Sequence, residues 1–204
     1  MQKNSKGNLL LIFTRNPELG KVKTRLAKET GEKNALEIYK FLLKHTVSVT
    51  KELKITKRVY YSEEIQENDV WNNNFFEKRL QKGGSLGERM KNAFLEGFQD
   101  GYQKIAIIGS DLFEIQQKDL EEAFAELQQN EFVIGPAEDG GYYFLGMKSL
   151  NSALFKSKNW GTSSVLQDTL KDLQDHQVKL LKTRNDVDTF KDIKDHPAFQ
   201  QFLK

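Results

Sequence analysis

The sequence predicts an α/β protein with a mostly parallel sheet and helices on both faces. Two observations carry this. Leu9–Thr14, the run KIAIIG at Lys104–Gly109 and Phe132–Gly135 are short stretches in which apolar residues follow one another without alternation. Strands covered on both faces read this way. Between such runs lie segments with apolar residues at helical spacing, and strand–helix alternation makes a parallel sheet.

Taken in order, Leu9–Thr14 is the first buried strand. From Gly31 a helix is expected, because Ala35, Ile38, Leu42, Thr46 and Val49 recur at helical intervals. Ile55–Tyr61 is β-branched and aromatic, a second strand. Residues 62–84 are polar with scattered aromatics and predict no element. Ser85-Leu86-Gly87-Glu88 has the S-x-x-E form of a capping box, with Met90, Ala93, Phe94 and Phe98 on one face behind it. A helix at about 117–129, an aromatic strand Tyr142–Gly146, a helix from Thr162 to about Asp175 and a late strand Val178–Leu181 follow.

The chain has 204 residues, 38% hydrophobic and 29% charged, which suits one α/β domain over 1–204. A net charge of +2 makes it no nucleic-acid polyelectrolyte. It has no cysteine, so disulfides, thiolate nucleophiles and cysteine-bound zinc are excluded. The polar start MQKNSKGN leads into too few hydrophobes for a signal-peptide core or a membrane span, and a cytoplasmic protein is expected. The three histidines have no metal-ligand spacing, and no G-x-S-x-G elbow is present.

In open α/β sheets ligands bind beyond the carboxyl ends of strands, and the unusual residues lie there. After the first strand, Gly20 permits a tight turn and Lys21, Lys23 and Arg25 follow, with Arg15 ahead of them. Such a loop is either a polyphosphate site or a solvated basic turn. It is neither a Walker A loop nor G-x-G-x-x-G. Ser110-Asp111 ends another strand, and Asp111 is either a metal carboxylate or a helix cap. NDVDT holds Asp186 and Asp188, with the same two readings. Two separated carboxylates beside a polyphosphate loop suit Mg²⁺, which takes one or two carboxylates and completes its octahedron with phosphate and water. In PAEDGGYYFLG, Glu138 and Asp139 are placed to accept hydrogen bonds from sugar hydroxyls, and Gly140-Gly141 admit a ligand close to the backbone. A plain hairpin turn is the alternative. Thr162, Ser163 and Ser164 are either helix caps or anion donors.

Together, FTRNPELGKVKTRLA, IIGSDLFEI, GPAEDGGYYFLG and WGTSSVL with the later DVDT resemble a family of bacterial GT-A-like proteins. These are the radical-SAM/selenodomain-associated, or nucleotide-diphospho-sugar transferase-like, proteins. The resemblance runs over about residues 8–195 and implies a Rossmann-like GT-A (nucleotide-diphospho-sugar transferase) fold. K-x-K-T-R-L is similar to the basic loop of 2-phospholactate guanylyltransferase, a relative together with molybdenum-cofactor guanylyltransferases. D-x-D-T is similar to the metal-binding end of sugar-acid cytidylyltransferases. Carried over by position, Asp111 and Asp188 become ligands of Mg²⁺ or Mn²⁺. Lys21, Lys23 and Arg25 become phosphate ligands by the same carry-over. The expected nucleotide- and phosphate-binding set is completed by Arg15, Gly20, Ser110, Gly140, Gly141, Thr162 and Ser163, and Glu138, Asp139 and Lys23 are the expected catalytic residues. This chain has Arg15 where the family usually has Lys, Leu19 where it has Pro, and Leu112-Phe113 where it has Cys-Pro.

Three functions are then open: a glycosyltransferase using a nucleoside diphosphate sugar and a small-molecule acceptor, taken first; a nucleotidyltransferase releasing pyrophosphate; and a non-catalytic nucleotide-binding protein. No nucleic-acid partner is expected in any of them.

Overall fold

A computed structural model describes residues 6–203. Seven strands form one sheet in the order β3-β2-β1-β4-β6-β5-β7. They are β1 (Lys6–Thr14), β2 (Thr56–Tyr61), β3 (Glu77–Leu80), β4 (Tyr102–Ile108), β5 (Phe132–Pro136), β6 (Tyr142–Met147) and β7 (Val178–Leu180). The central pairs β1–β2 and β1–β4 are parallel, as are β2–β3 and β5–β7. Only β6 runs against its neighbours, β4 and β5. The mostly parallel α/β reading therefore holds.

The helices are α1 (Thr24–Thr30), α2 (Glu32–Thr50), α3 (Leu86–Gln99), α4 (Gln117–Gln129) and α5 (Val165–Asp172). Side chains alternate along β1, so Leu10 and Ile12 pack with Tyr39 and Leu43 of α2 and Leu120 and Phe124 of α4. Leu9 and Leu11 pack on the other face with Met90 and Phe94 of α3. A third cluster joins Leu26 of α1 and Ile38 and Leu42 of α2 to Val187, Ile193 and Phe199 of the C-terminal segment. Phe113, which stands where the resembled family has Pro, belongs there, with its ring against Phe41, His45, His196 and Phe199. His45 is accounted for by this packing and by a hydrogen bond between its Nε2 and the Ile115 carbonyl (3.0 Å).

Three elements differ from expectation. The basic loop closes into a short helix, α1, where no helix was expected. Within 62–84, Glu77–Leu80 pairs with β2 as an edge strand whose sequence, EKRL, has no apolar face to betray it. The helix expected from Thr162 begins at Val165. The capping box at Ser85 is present: Glu88 N–H donates to Ser85 Oγ (3.2 Å), and Ser85 N–H donates to Glu88 Oε2 (3.3 Å). Among the described residues, no helix is long and apolar enough to cross a membrane.

Candidate functional site

The carboxyl ends of β1 and β4 are locked together by a buried hydroxyl network. The Tyr39 hydroxyl, on α2, accepts from Arg15 N–H (2.9 Å) and lies 3.2 Å from both Thr14 Oγ1 and Ser110 Oγ. Ser110 is 3% exposed and its hydroxyl also bonds Thr14 Oγ1. Asn16, also buried, binds the loop after β2 by donating to the Glu64 carbonyl (2.8 Å) and accepting from Glu63 N–H (3.2 Å). The two loops that carry Lys23 and Asp111 thus leave a rigid platform, as polar groups satisfied in a low-dielectric interior provide.

On that platform the predicted cations meet the predicted metal carboxylates. Lys23 Nζ donates to Asp111 Oδ2 (2.8 Å), and Arg25 Nη1 donates to Asp188 Oδ2 (2.8 Å). The side chain of Lys23 is 6% exposed, whereas that of Arg25 is 66% exposed. Burial works against the Lys23 ammonium, but Asp111, with Asp188 and Asp186 behind it, more than reverses this and raises its pKa. Lys23 also sits in the left-handed region (φ 47°, ψ 45°), just before α1. That conformation is unfavourable for a residue with a Cβ and persists where its surroundings enforce it.

Asp186 is the residue that sequence reasoning passed over in favour of Asp188. Burial, then the neighbouring charges of Asp111 and Asp139, push its carboxyl up to about 6. The signal was present in NDVDT, but spacing alone does not say which of two alternate carboxylates turns inward. Val187 between them is buried, and its N–H donates to the Asp111 carbonyl (3.3 Å), tying the two acidic loops. Asp192 fixes the same loop: its carboxylate accepts from Thr189 N–H (2.6 Å), Asp188 N–H (3.0 Å) and Asn185 Nδ2 (2.9 Å).

A cleft of ≈ 230 Å³ opens beside these groups, lined by Arg25, Glu138, Asp139, Asp186 and Asp188 among others. Glu138 and Asp139 occupy the turn between β5 and β6, so the hairpin reading of PAEDGG describes the backbone. Asp139 Oδ1 accepts from Gly141 N–H (2.8 Å). Gly140 (φ +88°) presses on Ser163: a Cβ there would come within 2.3 Å of the Ser163 carbonyl oxygen. The Gly140 carbonyl in turn accepts from Leu166 N–H (2.9 Å), which clamps the turn to the start of α5.

The remaining candidates lie as follows. The Arg15 side chain is exposed. Lys21 is exposed and paired with Glu18 (2.7 Å) and Glu63 (3.5 Å). Gly20 turns the chain beside the Glu32 carboxylate. Thr162 Oγ1 donates to the Asn159 carbonyl (2.8 Å), a local cap, while Ser163 contributes its backbone to the Gly140 contact.

Solved structures share this architecture. A candidate nucleotide-diphospho-sugar transferase from Desulfovibrio desulfuricans is 28% identical, with 96% of this chain and 93% of that one covered and a TM-score of 0.85. The 4-diphosphocytidyl-2C-methyl-D-erythritol synthase from Anaerococcus prevotii superposes with a TM-score of 0.64 at 12% identity, over 98% of each chain. A manganese complex of Rv0371c from Mycobacterium tuberculosis does so with a TM-score of 0.52 at 12% identity, again over 98% of each. The last two show the fold alone. No curated protein matches the sequence. The family model described as "Uncharacterized protein conserved in bacteria (DUF2064)" matches residues 46–162, and the chain belongs to that family, with the nucleotide-diphospho-sugar transferase fold.

Proposed function

We propose that this protein is a transferase using a nucleotide-activated donor, with sugar transfer from a nucleoside diphosphate sugar as the first reading. The observation that carries it is the pairing of Lys23 with Asp111 and of Arg25 with Asp188 on strand-end loops, beside a cleft holding Glu138 and Asp139. Cations for a diphosphate, carboxylates for its counter-ion and carboxylates for a hydroxyl acceptor are thereby adjacent. The 28% identity to the Desulfovibrio protein supports the same reading.

A divalent ion fits the donor set. Asp111 and Asp188 are hard oxygen donors from separate loops. Asp111 and Asp188 would supply one carboxylate each, which suits Mg²⁺ or Mn²⁺, ions that take their other ligands from phosphate and water. Bound there, the ion would supply charge neutralisation on the leaving nucleoside diphosphate. Lys23 and Arg25 bind phosphate oxygens and stabilise the same developing charge, already oriented by the protein. Asp139 or Glu138 accepts the proton of the acceptor hydroxyl and aligns it with the donor carbon.

Nucleotidyl transfer is the second reading, favoured by the cation density of Lys21, Lys23 and Arg25, which suits a triphosphate. A thermal-shift panel of nucleoside diphosphates, triphosphates and nucleotide sugars, with and without Mg²⁺, tests both. Stabilisation grows with ligand concentration over Kd. Metal-dependent stabilisation by a nucleotide sugar is expected. If no nucleotide shifts Tm at millimolar concentration, the protein is not a transferase of this kind.

A further inference from the structure

We infer that Lys23 and Arg25 are the built-in counter-ions of the metal site, so that it holds a free divalent ion weakly and holds one tightly only together with a polyphosphate. This rests on the proposed function and says how that site is regulated.

Each predicted metal carboxylate is matched, one to one, with a cation of the basic loop: Asp111 with Lys23 and Asp188 with Arg25, both at 2.8 Å. A divalent ion would have to bind a carboxylate that Lys23 already neutralises, and the two positive charges repel across it, so the ion gains less there than at an unpaired carboxylate. Displacing Lys23 by a bare ion would take from a largely buried ammonium its one hydrogen-bonded carboxylate, leaving Asp188 and Asp186 only at a distance, and a low-dielectric site penalises that loss. A polyphosphate removes that penalty by supplying the anion itself. Its oxygens take Lys23 and Arg25 as the metal takes Asp111 and Asp188, and every charge keeps a partner.

The backbone is arranged for an exchange of side-chain partners with little loop movement. Leu26, one residue after Arg25, and Val187, one residue before Asp188, are buried in the same cluster. Val187 N–H holds the Asp111 carbonyl. The backbone on either side of the Lys23–Asp111 pair is therefore anchored, so an exchange of anion falls to the side chains. Coupling of this kind is reciprocal: metal and polyphosphate must each raise the affinity for the other by the same factor.

The test uses Mn²⁺ as the ion, measured as the metal retained with the protein in equilibrium dialysis at matched free Mn²⁺, with inorganic pyrophosphate as a polyphosphate that carries no base. Wild type should bind Mn²⁺ weakly alone and at least tenfold more tightly with pyrophosphate. Lys23→Met should bind Mn²⁺ alone at least tenfold more tightly than wild type, and should lose most of the gain from pyrophosphate. Arg25→Met, at an exposed pair of the kind that adds little to stability, should shift both quantities the same way by less. If neither variant binds bare Mn²⁺ more tightly than wild type, the counter-ion inference is overturned. Asp111→Asn separates this from failure of the underlying reading. Tightening in Lys23→Met that Asp111→Asn abolishes supports the inference. Mn²⁺–pyrophosphate binding that Asp111→Asn leaves intact removes the metal site itself, and the inference with it.

Discussion

The Tyr39 hydroxyl lies 3.2 Å from Ser110 Oγ, 71 residues away in sequence, and joins α2 to the loop that carries Asp111. The same hydroxyl accepts from Arg15 N–H at the start of the basic loop. Burial raises its pKa, so it stays a neutral hydroxyl. Tyr39→Phe would leave Arg15 N–H without this acceptor and remove a partner from Thr14 and Ser110. A loss of about 1–3 kcal/mol is expected, measured as a lower urea midpoint with an unchanged slope. A variant as stable as wild type would show that the network does not hold the two loops.

Asp192 organises the loop of Asp188 and gives a pH signature. Burial tends to raise its pKa, but Asn185 Nδ2 and the N–H groups of Thr189 and Asp188 outweigh this and lower it. A carboxylate whose folded pKa lies below its unfolded value stabilises above the unfolded pKa, near 4, and loses that contribution as pH falls through the folded one. Asp192→Asn should therefore cost about 1–3 kcal/mol at pH 7, and the gap to wild type should close below about pH 4. An equal gap at pH 7 and pH 3 would assign the loss to packing alone.

How much of this was legible beforehand follows from the physics of each element. Strands β1 and β4 are covered on both faces and announce themselves as unbroken apolar runs, and α4 keeps an amphipathic period from Gln117 to Gln129. Strand β3 is an edge whose pairing with β2 comes from the tertiary structure, so EKRL carries no signal. The motifs put Lys23, Arg25, Asp111 and Asp188 on strand-end loops, and such loops converge at one edge of a parallel sheet. Their pairing with each other is a matter of side-chain distance that no spacing encodes. Tyr39 was invisible for a similar reason, since one more aromatic on a helix face reads as core.

Adjacent tyrosines on β6 should respond in opposite ways to loss of the hydroxyl. Tyr143 OH donates to the Lys182 carbonyl (3.0 Å), whereas the buried Tyr142 OH has no partner among the described residues. Removing a satisfied group costs about 1 kcal/mol, and removing an unsatisfied buried one costs nothing or stabilises. Thermal melts should place Tyr143→Phe below wild type and Tyr142→Phe at or above it. The reverse order would mean that Tyr142 has a partner in solution.

The clamp between the acidic turn and α5 is tested by two glycines that share a backbone conformation. Gly140 (φ +88°) and Gly161 (φ +81°) both lie where a Cβ is strained, but only at Gly140 would it strike the backbone, 2.3 Å from Ser163 O. Gly161→Ala should cost about 1 kcal/mol from strain alone. Gly140→Ala should cost clearly more, about 2 kcal/mol or above, and should displace Asp139. Equal costs would show that the turn can move off α5.

Pyrophosphate exchange separates the two chemistries proposed for the cleft. Nucleotidyl transfer releases pyrophosphate and is reversible, so labelled pyrophosphate enters a nucleoside triphosphate when the co-substrate is present. Sugar transfer releases a nucleoside diphosphate and gives no exchange. With a nucleotide sugar and no acceptor, slow release of the nucleoside diphosphate is expected, because water can stand where the acceptor hydroxyl would, beside Glu138 and Asp139. Asp139→Asn should lower that release by about 10²-fold or more if its carboxylate takes the proton. The Asn side chain keeps an oxygen for the bond from Gly141 N–H, so the turn should survive and a drop would report chemistry. A small change would reduce Asp139 to shaping the turn and leave Glu138 as the acceptor's base. Exchange of label into a triphosphate would instead make nucleotidyl transfer the reaction, with Lys21, Lys23 and Arg25 bound along three phosphates.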